Sequence, residues 1–407
     1  MIQKKGPLYA MAFGNFAVGI GALVVAGVLQ PLAETFAVSL STVGLLVTVY
    51  AFTYAAGSPL IIVFTSAAER RVLLAVGLVA VAAGNLLVAA APVYAIVVVG
   101  RLLTAVGAAT FTPVASAVAA HMSPPAERGR AIALVFAGFT AATALGVPFG
   151  TYLGLVVGWR LTFAAVAALA VLSFGFVVGF VPRRIDAPPA NLRVFAQALR
   201  QPLLMATLAV TLVQMAAQLS VFTYVAPYVQ ERVAVGPVGI TLLFLANGAA
   251  GFAGNLGGGR LADRIGTGPT IALFLAVLVA ALAVLPVVER SLLLGALAIA
   301  VWGYVGLGFN APQQAHLVGL APKLANAVLA LNASFLYLGI SIGSFLGGQV
   351  VNAGQIRNLH WLAVGLALTA AVIFASTLGR RAVALRGYSR SGSPAPTASA
   401  SSARRRG

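Results

Sequence analysis

The sequence predicts an all-α polytopic membrane protein, and two observations carry the prediction. The first is composition: of 407 residues, 61% are hydrophobic and 8% charged, where soluble domains carry about a quarter charged residues. The second is a series of unbroken apolar runs of about 20 residues, the length that crosses a ~30 Å hydrocarbon core. In lipid a chain must satisfy its own backbone hydrogen bonds, so only helices and closed barrels span it. Barrel strands alternate apolar and polar residues; these runs do not.

The remaining composition narrows the function. The formal charge is +18, but the basic residues lie in short loops and at the termini. No basic stripe with interleaved aromatics occurs, so no nucleic-acid partner is expected. Cysteine is absent, which excludes disulfides, thiol catalysis and thiolate metal sites. His121, His316 and His360 are far apart and share no ligand spacing, so neither a metal nor a cofactor is expected. There is no nucleotide-binding loop and no nucleophile beside a base, which argues against an enzyme. Lys4-Lys5 followed by an apolar stretch has the look of a signal peptide. That stretch runs from about Tyr9 to Leu32, longer than a signal core, so it reads as the first membrane helix.

Twelve spans are expected, at about 8–32, 43–64, 72–91, 93–120, 131–155, 160–181, 203–228, 236–257, 269–288, 291–318, 325–352 and 358–379. The longest interruption, 182–202, holds prolines and four arginines and divides a first six-helix bundle (1–181) from a second (203–379). The tail, 380–407, is rich in Ser, Ala, Pro and Arg and is expected to be disordered. Lys and Arg are distributed 20 to 4 between the two sets of loops and termini, with Arg101 alone inside a span. That asymmetry predicts both termini in the cytoplasm, and the excess charge suits anionic lipid headgroups.

The halves resemble each other. Pro125, Gly146 and Gly150 are spaced like Pro322, Gly343 and Gly347, across the start of spans 5 and 11. The pattern suggests a duplicated six-helix unit, common in transporters.

Several motifs resemble the major facilitator superfamily. Gly259-Arg260-Leu261-Ala262-Asp263-Arg264-Ile265-Gly266, read as the loop after span 8, is similar to that superfamily's G-x-L-A-D-R-x-G loop motif. Gly146-Val147-Pro148-Phe149-Gly150 resembles the Gly-Pro motif of its exporters, and Arg101 with Gly107 its span-4 arginine motif. Val38 to Thr48, Gly57-Ser58-Pro59-Leu60, Arg70-Arg71, Ala226-Pro227 and Pro312-Gln313-Gln314 resemble the arabinose-efflux-permease-like and purine-efflux-like branch of the twelve-span drug/proton antiporters. The resemblance implies two six-helix bundles around a cavity that opens alternately to each side. It implies export of a small organic solute against protons, and Asp263 and Arg264 as a gate latch. The chain departs from the pattern at Ser66, which replaces a loop carboxylate, at Ala105, and at Gly21-Ala22, where relatives often carry an acid.

None of the seven acids, Glu34, Glu69, Glu127, Asp186, Glu231, Asp263 and Glu289, lies deep in a span. Glu34, at the outer end of span 1, is the nearest candidate for proton coupling. Arg101 is the one charge well within a span. Such a group costs about 2.5 kcal/mol or more in lipid, so it should face protein or a watery cavity. It either attracts an anionic group or answers a proton elsewhere, or it is a structural donor to neighbouring carbonyls. Amides and tyrosines gather on the spans that the resemblance places inside: Asn15, Tyr50, Tyr54, Gln214, Gln218, Tyr224, Asn310, Gln313, Asn332 and Tyr337. Spans 6 and 9 are almost wholly apolar. These residues are candidates for the cavity wall, and for each the alternative is interhelical adhesion. Uncharged amides with aromatics suit a neutral or weakly polar ligand such as a nucleobase, nucleoside, sugar or amphipathic drug. The missing span acid leaves open an uncoupled facilitator or importer. A monomer in the inner membrane is expected.

Overall fold

A computed structural model of the chain describes residues 5–65, 68–124, 127–183, 185 and 192–390. Lys4, Ser66, Pro125, Arg184, Asp186 and residues 391–407 lie outside the described residues, so the readings placed on them have no structural counterpart here. Among the described residues the chain is helical throughout, without strands. Ten runs are long and apolar enough to cross a membrane. One of them, Arg128–Phe180, has 53 residues and as a single rod would measure about 80 Å. It folds back at Gly158, whose φ of +131° only glycine adopts freely, so it supplies spans 5 and 6. Thr267–Ala283 is a shorter apolar helix at the expected place of span 9. With these two readings the structure accommodates all twelve expected spans.

Proline accompanies the breaks in spans 1, 7 and 10, whereas Pro59 and Pro113 lie inside the unbroken helices of spans 2 and 4. A proline cannot donate to the carbonyl four residues earlier. Span 1 leaves the α-helix after Leu23, passes through a 3-10 turn at Val24–Gly27 and resumes as Leu29–Phe36; Pro31 stands four residues beyond Gly27. Span 7 breaks between Pro202–Phe222 and Val225–Gln230, and Pro227 stands four beyond Thr223. Span 10 breaks between Leu292–Gly308 and Asn310–Leu320, and Pro312 stands four beyond Gly308. In span 5 the carbonyl that Pro148 cannot reach, at Ala144, lies inside a π-helical turn, Ala142–Gly146. A second π turn, Gly154–Gly158, follows.

Three boundaries differ from expectation. The motif Gly259–Ile265 is not a loop: span 8 runs as Pro237–Ile265 and stops at Gly266, with φ +91°. No proline or second glycine turn interrupts the helix earlier, so the polar motif forms its last two turns. The interruption between the halves contains a helix, Leu192–Leu199. It buries Ala198 and partly buries Phe195 against Leu204, Leu208, Leu317 and Leu331 of the second half. Finally, the last helix is Leu359–Arg390, longer than span 12 as read. The Arg-, Ala- and Leu-rich stretch from Arg380 to Arg386 favours helix, and basic residues suit a helix C-terminus.

Glycine ladders hold each half together. A Cβ on Gly146, Gly150 or Gly154 of span 5 would lie 2.3, 2.7 or 2.2 Å from side-chain atoms of Ile20, Val24 or Val28 in span 1. A Cβ on Gly339, Gly343 or Gly347 of span 11 would lie 2.2–2.3 Å from the carbonyl oxygens of Leu212, Ala216 and Ser220 in span 7. Both ladders advance four residues per step on each helix. The glycine spacing shared by the halves therefore has the same packing role in each, as in the small-residue interfaces of membrane helices generally.

Polar groups fasten the ends remote from the termini. In the second half Glu289 joins Arg232, at 3.0 Å, and Arg357, at 3.2 Å, and Arg232 lies over the Tyr228 ring. In the first half Arg160 stacks on Trp159 and donates to the Ala91 carbonyl at 3.1 Å. The Trp159 indole donates to the Thr35 hydroxyl at 2.9 Å.

Gly343→Val is expected to destabilise the protein by about 1–3 kcal/mol or more, as overpacking does. Gly175→Val, with nothing within 4 Å of the new Cβ, should leave stability near that of the parent. Thermal melting in detergent checks both.

Candidate functional site

The two halves touch at one end. Among the described residues three hydrogen bonds join the halves, all between spans 2 and 11 on the side away from the termini. Ser41 donates to the Asn352 side chain at 3.4 Å, Ser341 to the Thr48 carbonyl at 3.0 Å, and Ser344 to the Gly44 carbonyl at 3.1 Å. The helices are antiparallel, so successive contacts climb one and descend the other. The last of them is a stack of Tyr54 on Tyr337, ring centroids 3.6 Å apart, with both rings buried. Spans 5 and 8 also meet, about halfway along each helix, where Gly248 packs on the Thr143 carbonyl. Toward the terminal side of the tyrosine stack, Leu60 and Phe64 of span 2 are exposed.

Behind the stack lies Arg101. Its guanidinium is fully buried and donates to the carbonyls of Gly21, at 2.5 Å, and Ala22, at 3.2 Å. It sits over the Tyr50 ring, 4.5 Å from the centroid. The Arg101 Nε and the Tyr50 hydroxyl have no partner among the described residues. Gly21 and Ala22 are the two positions at which the resemblance leads one to expect an acid. The guanidinium thus meets two carbonyl dipoles and a ring face, with no carboxylate among its contacts. A buried cation without a counter-ion is costly, and a chain bears such a cost where function needs the charge.

Each half has a polar knot of three helices. Asn15 of span 1 accepts from Thr112 of span 4, at 2.8 Å, and donates to the Val135 carbonyl of span 5, at 3.1 Å. In the second half Thr211 of span 7 donates to Asn332 of span 11, at 2.8 Å, and accepts from Gln313 of span 10, at 2.9 Å. The helices involved, 1, 4, 5 and 7, 10, 11, correspond under the duplication. Gln214 and Gln218 both donate to the Gly306 carbonyl, at 3.3 and 3.4 Å. Asn310 is half-buried and donates to the Leu307 carbonyl, at 3.3 Å.

The structure therefore brings together Arg101 with Tyr50, Tyr54 with Tyr337, and Gln214, Gln218, Asn310, Gln313 and Asn332 along spans 7, 10 and 11. It does not bring in two others. Tyr224 belongs to the closed contact: its hydroxyl donates to the Ser344 carbonyl at 3.1 Å and lies against Gly44. Glu34 is exposed and lines a cavity of about 670 Å³ on the side away from the termini, with Gln30, Gln230 and Glu231. Gly146 and Gly150 sit in the span 1–span 5 ladder with Pro148 between them. Gly259 makes ordinary contact with Ala311. Asp263 and Arg264 are exposed and appear in no ion pair among the described residues. The hydroxyls that close spans 2 and 11 were not singled out from the sequence. Their signal is Ser41, Gly44 and Thr48 on one helix face facing Ser341, Ser344 and Asn352.

Two six-helix halves with matching internal contacts, closed against each other at one end, define an integral membrane protein of the transporter class. Comparison with known proteins gives the family. The Major Facilitator Superfamily model matches residues 11–331, and the chain belongs to that superfamily. It is 30% identical over 348 residues to the inner membrane transport protein YdhP of Escherichia coli K12, covering 86% of this chain and 89% of that protein. It is 29% identical to the MFS-type transporter YtbD of Bacillus subtilis, covering 90% and 93%. The MFS-type transporter YbcL of the same organism is 25% identical, with 92% and 97% covered. The chain is a membrane transporter whose surroundings are the bilayer and whose cargo is a small molecule.

If Arg101 is retained for function at a cost in stability, Arg101→Met should melt within about 2 °C of the parent or above it, while solute flux falls at least about tenfold. A lowered melting temperature with flux intact would make Arg101 a structural donor. Parallel melting and flux measurements on the purified variant decide.

Proposed function

We propose that the chain exports a small organic solute by alternating access, in exchange for protons. The contact of spans 2 and 11 carries this reading. It joins the halves at the end remote from the termini, so separating it while closing the other end would carry a central site from one side of the membrane to the other. The 20 to 4 distribution of basic residues supports a cytoplasmic position for both termini, in a bacterial-type inner membrane. On that orientation the described conformation faces inward. Among the described residues Asp263 and Arg264 form no ion pair, which agrees with a latch that engages when the protein faces outward. The helices hold each half rigid through their glycine ladders, so the halves move as bodies, and the chain acts as a monomer.

Proton coupling needs a group that titrates where solute binding can compete with it. Arg101 is the central charge, and Glu34 is an acid at the outer entrance. Carbonyls in place of a carboxylate beside Arg101 favour a second reading, a facilitator or importer of a neutral solute that is indifferent to pH.

Proteoliposomes loaded with a panel of nucleobases, nucleosides, sugars and amphipathic drugs, under an imposed pH gradient, separate the two. Antiport predicts solute movement against its gradient with proton counterflow of fixed stoichiometry, diminished in Glu34→Gln. Downhill movement at a rate independent of the pH gradient would contradict antiport and support the facilitator.

A further inference from the structure

One fixed charge stands in the membrane interior. Arg101 is 0% exposed, and a guanidinium stays protonated in a protein. Two of its nitrogens are spent on the carbonyls of Gly21 and Ala22, which are neutral dipoles, and Tyr50 offers it a ring face. The third nitrogen, Nε, and the hydroxyl of the same tyrosine have no partner among the described residues, although Tyr50 is 1% exposed. Buried polar atoms in native proteins are nearly always paired. Both of these groups can donate.

The charge reaches further than its contacts. At an effective dielectric constant of about 20, a cation about 8 Å away favours an anion over its neutral counterpart about thirtyfold, and disfavours another cation by the same factor. No acid offsets it. Glu34, Glu69, Glu127, Glu231, Asp263 and Glu289 are all exposed and stand toward the ends of spans, where salt and water screen them. The mouth beside the termini has the same sign. That side carries 20 basic residues against Glu69, Glu127, Asp186 and Asp263, and the other side 4 against Glu34, Glu231 and Glu289. A mouth of one sign gathers solutes of the other.

We propose that the cargo is a small organic anion, a singly charged carboxylate, drawn to the first half by Arg101, with Nε and the Tyr50 hydroxyl as its open donors. Both residues are buried in the described conformation, so the field acts on the anion before contact does. This inference rests on the transport reading and names the charge of its cargo. It also accounts for the acid that Gly21 and Ala22 do not supply. A carboxylate there would neutralise Arg101 and repel an anionic solute. A solute that brings its own negative charge is driven outward by an inside-negative potential, by about fiftyfold in concentration per 100 mV, with no titrating acid in the span.

The test uses the purified full-length protein at neutral pH and matched pairs: nicotinate with nicotinamide, orotate with uracil, and gluconate with glucose. Binding is read from ligand-induced melting shifts, and flux from proteoliposomes under an imposed potassium diffusion potential. At least one acid should bind at least about tenfold more tightly than its neutral partner, and its exit should quicken when the loaded side is made negative. Arg101→Met should bring the binding ratio to about one, whereas Arg101→Lys and Tyr50→Phe, which keep the charge, should retain a preference for the acid. Ratios near one in the parent, a ratio unchanged in Arg101→Met, or no binding by any pair would overturn the assignment; the parent's ratios are read without any variant having to fold. Neutral members carried as fast as the acids would overturn the anion assignment and uphold the transport reading. Acid-selective binding without flux would uphold the anion site and contradict the transport reading.

Discussion

An apolar helix gains little by leaving lipid for another apolar helix, because lipid tails are as apolar as leucine. What holds helices together in such a solvent is close backbone approach and the few polar groups that find partners. In this chain the glycine ladders supply the first. Gly146, Gly150 and Gly154 draw span 5 onto span 1, and Gly339, Gly343 and Gly347 draw span 11 onto span 7. Everything that bears on transport is referred to those two pairs. They set the position of the polar knots, of Arg101 against span 1, and of span 11 against span 2. Both ladders run through the interior of a half, so each half is closely packed within itself.

The contact between halves is of another kind. It uses serine hydroxyls, one asparagine side chain, backbone carbonyls and a pair of stacked tyrosines, each of which makes a small contribution. Interhelical hydrogen bonds in membranes are worth about 0.6 kcal/mol on average, and a stacked aromatic pair about 0.5–1.5 kcal/mol. A contact of that size is modest beside the close packing within each half. Such a contrast between tight ladders within halves and a modest seam between them is what the proposed alternating access requires.

Much of the fold was legible in the sequence, because the bilayer imposes a length and a polarity on every element. Apart from the ends of spans 8 and 12, whose helices run on to Ile265 and Arg390, the spans fall within a few residues of their expected limits, and the glycine spacing shared by spans 5 and 11 was readable before its contacts were known. The failures have local causes. Gly259–Ile265 was read as a loop because it is polar, yet a helix that leaves the membrane stays helical until something stops it, here Gly266. The helix Leu192–Leu199 was hidden by the prolines and arginines around it; its clue was Phe195 and Ala198 at a helical interval. The site was legible by residue type and not by pairing. Arg101 announced itself as a lone charge, but that it would bind the carbonyls of Gly21 and Ala22 depends on the packing of spans 1 and 4. Tyr224 had the composition of a cavity residue and lies instead where the halves close. The serines of spans 2 and 11 gave too weak a signal, since single hydroxyls in a membrane helix bond to their own backbone as readily as to a neighbour.

The absence of cysteine makes the central claim directly testable. The Ser41 and Asn352 side chains touch across the halves, 3.4 Å apart, at the end remote from the termini. Ser41→Cys with Asn352→Cys, in a chain that has no other thiol, can be joined by a short reducible cross-linker and assayed for solute flux in proteoliposomes. Alternating access about this contact predicts that cross-linking stops flux and that reduction restores it, while either single variant is unaffected by the reagent. Flux that continues undiminished through the cross-linked protein would contradict it, because the solute would then cross without the halves parting.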